Sequence, residues 1–212
     1  MLENITLFTH SSIRIRTGAG TIYIDPYKIE GEPSDGDFIL VTHDHYDHFS
    51  PDDIRRAAGE DCILIVPESM RESAQQAAGS VGKIVTVKPG EACETDGLIY
   101  EAVPAYNIMK PFHPKSAGWV GYIIEADGQR IYIAGDTDAT KEAETVQCDI
   151  AMVPIGGTYT MNAKKAAGLI NTIRPAAAIP THYGSIVGKK KDAEEFASLV
   201  RPPVRVEIIM RE

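Results

Sequence analysis

The octapeptide Val41-Thr-His-Asp-His-Tyr-Asp-His48 constrains this chain more than any other stretch. Between His43 and His48 it carries three imidazoles and the free carboxylate of Asp47. Directly before it, Phe38-Ile-Leu-Val-Thr42 is short, apolar and β-branched, which predicts a buried strand. Directly after it, Ser50-Pro51-Asp52-Asp53 has the pattern of a helix start. Ser50 is the N-cap, Pro51 takes the first helical position, and Asp53 closes a capping box. The ligand-type residues are therefore expected on a tight turn between a strand end and a helix N-terminus, a rigid place to hold a metal.

The spacing sorts the donors. His43 and His45, two apart in extended chain, point to one side and suit a first ion. Asp47 and His48 are adjacent, turn the other way and suit a second. Neutral nitrogen and anionic oxygen donors packed this closely repel or stay unsatisfied without a cation. The competing explanation is a polar surface loop that happens to be histidine-rich. Against it, three of the six histidines in 212 residues fall in this one hexapeptide.

A length of 212 residues suits one domain spanning 1–212 with a full core. With 43% hydrophobic and 24% charged residues, the composition is that of an ordinary soluble globular protein. The net charge of −9 counts against broad contact with nucleic acid or anionic lipid. No apolar run approaches membrane-spanning length, and Met1–Phe8 lacks the basic start and long apolar core of a secretory signal. A small-molecule substrate, no membrane partner and a cytoplasmic location are expected. Cys62, Cys93 and Cys148, odd in number and far apart, suit reduced thiols.

Along the chain, strands are expected at 5–10, 12–17, 21–26, 38–42, 62–66, 83–87, 98–103, 119–125, 129–134, 150–154, 176–180 and 204–210. Helices are expected from Pro51, over 68–78, from a Thr160 cap to Ile173, and from an Asp192/Glu195 capping box to just before Pro202. Residues 104–118 hold three prolines without periodicity, and so long an irregular stretch is usually functional. The chain echoes itself. Thr21-Ile-Tyr-Ile-Asp resembles Arg130-Ile-Tyr-Ile-Ala-Gly-Asp136, and Phe38–His43 resembles Asp149–Pro154. Two similar halves, about 1–108 and 109–212, are expected to form two mixed sheets face to face with helices outside.

His-x-His-x-Asp-His after an apolar strand resembles the signature of the metallo-β-lactamase superfamily, with the closest look to its stand-alone, lactonase-like members. The resemblance implies an α+β fold, a four-layer αββα sandwich with one or two metal ions between the sheets. It also implies that Asp136, in Ala134-Gly-Asp-Thr, bridges both ions, and that His182, in Pro180-Thr-His-Tyr-Gly, is the last ligand. A turn-capping Asp and a strand-end His are the bland alternatives. The third His of the first ion follows a strand in many relatives as Ala-x-His; here that place reads Ala105-Tyr106-Asn107. Some branches carry a similar Pro-Ala-Tyr-Asn segment followed by Phe-His-Pro-Lys, which makes His113 the natural substitute. A substrate-contacting His113, a weakly ligating or substrate-binding Asn107, and His10 remain open there.

His10 resembles the Gly-His of the lactonase-like and phospholipase-like branches, near the site, with a buried structural His as the open alternative. Asp25 resembles an acceptor that orients a ligand His, with a turn Asp as the open alternative. Lys110, Lys115 and Lys189–Lys191 are the cations nearest these loops, although solvated lysine is their usual explanation. Tyr106 and Trp119 suit either a pocket or the core. Gly156-Gly157-Thr158 precedes a helix but lacks the Lys of a P-loop.

The expected function is a metal-dependent hydrolase. Two divalent ions roughly 3.5–4 Å apart would lower the pKa of a bridging water, and the hydroxide would attack an ester, lactone or phosphodiester. Asp47 and His113 are the expected catalytic groups, Asp47 orienting the nucleophile or passing on its proton. Nitrogen and oxygen donors without Cys favour zinc, manganese or iron without choosing among them; two ions are expected, zinc foremost. A nucleic-acid-processing nuclease of the same fold is the runner-up, opposed by the acidic balance. A di-iron oxidoreductase domain would carry Glu where His45 stands. A non-catalytic metal sensor would not need so complete a ligand set.

Overall fold

The computed structural model describes residues 2–77, 79 and 81–210. Among them, β1 (Ile5–Leu7), β2 (Ile13–Thr17), β3 (Gly20–Ile24), β4 (Gly36–Leu40), β5 (Ala58–Pro67) and β6 (Lys83–Val87) form one sheet in that order. A second sheet holds β7 (Ala92–Thr95), β8 (Leu98–Pro104), β9 (Val120–Ala126), β10 (Gln129–Ile133), β11 (Ile150–Pro154), β12 (Ala177–Thr181) and β13 (Arg205–Val206), again each beside the next. The helices are α1 (Pro51–Ala57), α2 (Arg71–Ala77), α3 (Ala163–Ile173) and α4 (Lys190–Leu199).

The period-two pleat sorts the apolar runs into layers. Ile22, Ile24, Phe38, Leu40, Ile63 and Ile65 face Ile131, Ile133, Ile150, Met152 and Ile179 across the space between the sheets. Their neighbours Tyr23, Ile39, Leu64 and Val66 face the other way, onto Ile54 and Ala57 of α1 and Ala74 of α2. Tyr132, Ala151, Val153 and Ala178 likewise pack on Ala166, Leu169 and Ile170 of α3 and Phe196 of α4. Each fully buried Ile or Leu contributes roughly 1.5–3 kcal/mol, so both strand faces must be covered. The result is the αββα sandwich.

The internal echo is a repeat of topology. β1, β2 and β3 pair antiparallel, and β3 to β6 run parallel. β8, β9 and β10 pair antiparallel, and β10 to β13 run parallel, with β7 added outside β8. The chain crosses between sheets from Val87 to Ala92, earlier than the expected division near 108. The cause is the β7–β8 hairpin, a unit of the second sheet that the repeat did not reveal.

Other boundaries also moved. The first strand stops at Leu7, because Thr9 and His10 turn out of the sheet with His10 at φ 55. The final strand keeps only Arg205–Val206. Glu68–Met70 is a 3₁₀ turn ahead of α2, and the expected end of that helix at Ala78 lies outside the described residues. α3 is capped by Asn162, whose Oδ1 accepts from Lys165 N at 2.9 Å, and not by Thr160. α4 starts earlier than expected. Asp192 is its third residue and reaches back to accept from Lys189 N at 2.7 Å.

Candidate metal centre

Both sheets end at one rim, and the ligand-type residues leave from strand ends there. The turn after β4 begins with Thr42, whose N–H and Oγ1–H donate to the two oxygens of Asp25 at 2.8 and 2.7 Å. Asp25 sits just past β3, 1% exposed, in the left-handed region at φ 46. It also accepts from His48 Nδ1 at 2.7 Å. With Thr42 Oγ1–H committed to Asp25, that oxygen accepts from His43 Nδ1 at 3.0 Å. One buried carboxylate therefore fixes two ring tautomers, leaving Nε2 of His43 and of His48 as lone-pair donors. Tyr122 Oη–H donates to Val41 O at 2.8 Å and ties the start of the turn to the second sheet.

The second sheet supplies its residues separately. Asp136 leaves β10 past Gly135, where φ is +63 and a Cβ would lie 3.1 Å from Val120 O. Only glycine brings this loop so close to the metal turn. His182 follows β12 at φ 56, and its N–H donates to His10 O at 2.7 Å. Gly156 backs it, since a Cβ there would sit 2.4 Å from His182 O. That close approach is a role for the glycine-rich loop that its sequence did not announce. From β8 the chain makes an excursion and returns. Asn107 N–H donates to His113 O at 2.7 Å, and Asn107 Oδ1 accepts from His113 Nδ1 at 3.0 Å. His113 is thereby delivered beside Asn107, with its Nε2 free.

The ligand-type atoms of His43, His45, His113 and Asp136 all lie within 4.8 Å of one another, as do those of His10, Asp47, His48 and His182. Asp136 also touches the second group. Its Oδ2 is 3.3 Å from His113 Nε2 and 3.0 Å from His182 Nε2, and its Oδ1 is 3.3 Å from His48 Nε2. His10 Nε2 and Asp47 Oδ2 are 3.0 Å apart. Trp119 packs with ring centroids 5.1, 5.0 and 5.5 Å from those of His43, His45 and His113. Lys110 is turned elsewhere: its Nζ donates to Asp138 Oδ1 and Thr160 O, both at 2.6 Å.

The electrostatics fit bound cations. His48 Nε2, His113 Nε2, His182 Nε2 and Asp136 Oδ1 are buried without a hydrogen-bond partner, which is costly unless something else satisfies them. His43 Nε2 and His45 Nδ1 face each other at 3.0 Å. Burial, then His48, keep His43 neutral, well below its ordinary pKa. Burial would raise Asp136, but His182 and His48 hold it well below the usual carboxylate range. Asp47 is also lowered, burial being outweighed by the hydrogen bond from His10. His10 itself is pushed down to about 4, chiefly by burial. Burial would lower His48 too, yet Asp136 and Asp25 raise it to about 9. Neutral imidazoles, ionised carboxylates and a point that attracts positive charge are what a divalent ion needs.

The family model for the beta-lactamase superfamily domain matches residues 4–182. The chain belongs to the metallo-β-lactamase superfamily. Within it, a UPF0173 metal-dependent hydrolase of Pyrococcus abyssi is 31% identical over 98% of this chain and 96% of its own length. Among solved structures, Igni18, a metallo hydrolase of the archaeon Ignicoccus hospitalis, has a TM-score of 0.76 at 24% identity, covering 96% of this chain and 94% of that one. CmlA of Streptomyces venezuelae, a diiron β-hydroxylase, scores 0.73 at 15% identity over 97% of this chain and 52% of its own. At such identities the likeness shows the shared fold of the superfamily, which carries more than one chemistry.

Proposed function

We propose that this chain is a binuclear metal-dependent hydrolase of small ester, lactone or phosphodiester substrates. The observation that carries the proposal is the pair of four-donor clusters meeting at Asp136, with ring nitrogens buried and unpartnered. His43, His45 and His113 would hold one ion and Asp47, His48 and His182 the other, with Asp136 shared between them. Zinc suits this nitrogen and oxygen donor set, as do manganese and iron. Bound there, such ions would supply Lewis-acid chemistry at the substrate's carbonyl or phosphoryl oxygen and a water of lowered pKa.

The protein's own groups do the rest. Asp25 and Asn107 orient the rings of His48 and His113 through Nδ1. Asp47, at the cavity and ionised, is placed to take a proton from the attacking water and return it to the leaving oxygen. His10 positions Asp47 by donating from Nε2. Lys110, tied to Asp138 and Thr160, holds the 107–113 excursion. Among the described residues no lysine or arginine lines the cavity at the centre, which counts against a nuclease.

The test is metal content followed by turnover. Protein reconstituted with zinc, manganese or iron should bind two equivalents by elemental analysis, and His113→Ala should bind about one. Hydrolysis of a lactone panel should vanish with chelator and return with metal. Less than one equivalent bound by the parent protein under every loading condition would sink the proposal.

A further inference from the structure

A cavity of about 250 Å³ opens on the metal centre. Beside donors of both clusters it is lined by Tyr46, Phe112, Tyr159 and Ile186. Phe112 and Tyr159 meet edge to face, centroids 4.8 Å apart and planes at 86°. The exposed large apolar side chains include Tyr46 at 65%, Phe112 at 41%, Ile108 at 49% and Met109 at 98%. Three of these, Ile108, Met109 and Phe112, sit on the excursion that delivers His113. The loop that completes the ligand set thus also carries an apolar tip. Exposed apolar residues gathered at a site mark what the site contacts.

Apart from the proposed ions and the ligand-type residues His45, Asp47, Asp136 and His182, the wall is uncharged, and among the described residues no lysine or arginine lines it. Lys110, the cation on the same excursion, is spent on Asp138 and Thr160. Sites that hold phosphate esters or other anions pair them with Arg or Lys. Among the described residues, no lysine or arginine on these walls would pair with an anionic group away from the reacting atom. The volume is below the roughly 300–1,000 Å³ of sites for drug-sized ligands, so the group it takes is small.

We infer that the substrate is an uncharged carboxylic ester or lactone whose aryl ring or short alkyl chain packs among Tyr46, Phe112, Tyr159 and Ile186. The inference rests on the hydrolysis proposed above. The water oxygen adds to the carbonyl carbon and the carbonyl carbon–alkoxy oxygen bond breaks. One water proton ends on the alcohol oxygen, the other is released, and the acid leaves as carboxylate.

The experiment separates affinity from turnover. Zinc-loaded protein is titrated with butanamide, hexanamide, octanamide and bis(4-nitrophenyl) phosphate. The reporter is the fluorescence of Trp119, the one tryptophan of the chain. Hydrolysis of γ-butyrolactone, γ-hexalactone and γ-octalactone is followed by proton release. Affinity and kcat/KM should both rise roughly two- to fourfold per methylene. Phe112→Ser and Ile186→Ser should flatten that slope while two equivalents of metal remain bound. A flat amide series, or tighter binding of the phosphodiester than of octanamide, overturns the inference whatever the turnover. A rising amide series with no lactone hydrolysis supports the apolar site and overturns the proposed reaction. A concentration-dependent dimer that Met109→Ser abolishes would assign the tip to a second copy, and that also overturns the inference.

Discussion

The two halves follow one strand plan and present the candidate donors of the metal centre proposed above in opposite ways. In the first, most donors sit on one turn after β4, and residues past β1 and β3 support them: His10 holds Asp47, and Asp25 holds Thr42 and His48. In the second, three strand ends give one candidate donor each, His113 past β8, Asp136 past β10 and His182 past β12. Concentration makes the first half rigid, because one buried carboxylate organises the turn. Dispersal leaves the second half dependent on separate loops, each with its own anchor. Substitutions at those anchors should therefore differ in cost.

The largest effect is expected at Asp25. Asp25→Ala strips the acceptor from Thr42 N–H, Thr42 Oγ1–H and His48 Nδ1 in a dry place. Removing one partner of a buried charged network costs about 3–5 kcal/mol. Urea unfolding of the metal-free protein should show a loss of this size. Its counterpart Asn107→Ala removes one neutral acceptor from His113 and should cost about 1 kcal/mol. Equal losses at the two positions would break the contrast between the halves.

The same contrast explains how much was legible in the sequence. His43, His45, Asp47 and His48 announce themselves because four donors share one turn, and local spacing is what a sequence displays. Asp136 and His182 are single residues whose company is assembled only when β10, β11 and β12 align. Family resemblance, not local spacing, points to them. His113 is six residues from Asn107 in sequence, yet a backbone and a side-chain hydrogen bond join the two. Nothing local encodes that closure. Layering was legible because apolar alternation has a fixed period. The division of the sheets was misplaced because β7, Ala-Cys-Glu-Thr, is short and polar and has no counterpart in the first half. The supporting roles of Thr42, Gly135 and Gly156 left no signal, since each is common in any loop.

Lys110 tests the anchoring of the 107–113 excursion. Its ammonium joins Asp138, which is 4% exposed at the side chain and also accepts from Ile108 N–H at 2.8 Å. Lys110→Ala should destabilise by about 1.5–3 kcal/mol, the range for hydrogen bonds to charged groups. Lys110→Met keeps much of the stem's packing and should separate it from the lost charge. Two equivalents of metal should persist in both variants, because Asn107 still delivers His113. Loss of the first metal with Lys110→Met would show that the excursion depends on its tip, sharpening the difference from the β4 turn.

The smallest effect belongs to the outer strap of the same segment. Glu142 accepts from Lys115 Nζ at 2.6 Å and from Tyr106 Oη at 2.9 Å, and the Lys115 ammonium, foremost, lowers its carboxyl to about 2. A carboxyl depressed in the folded state adds stability that is fully present above its unfolded pKa, here 4.5. That stability is lost as pH falls toward about 2. The pair is largely solvent-exposed, so salt should screen it. Acid titrations of the parent and Glu142→Gln, at low and high ionic strength, should diverge between those pH values only at low salt. The β4 turn is organised instead by Asp25, 1% exposed, whose hydrogen bonds to Thr42 and His48 should survive raised ionic strength. Should the Glu142→Gln curve differ from the parent's equally at low and high salt, the strap would not be a screened surface pair, and the contrast in anchoring would fail at its outer layer.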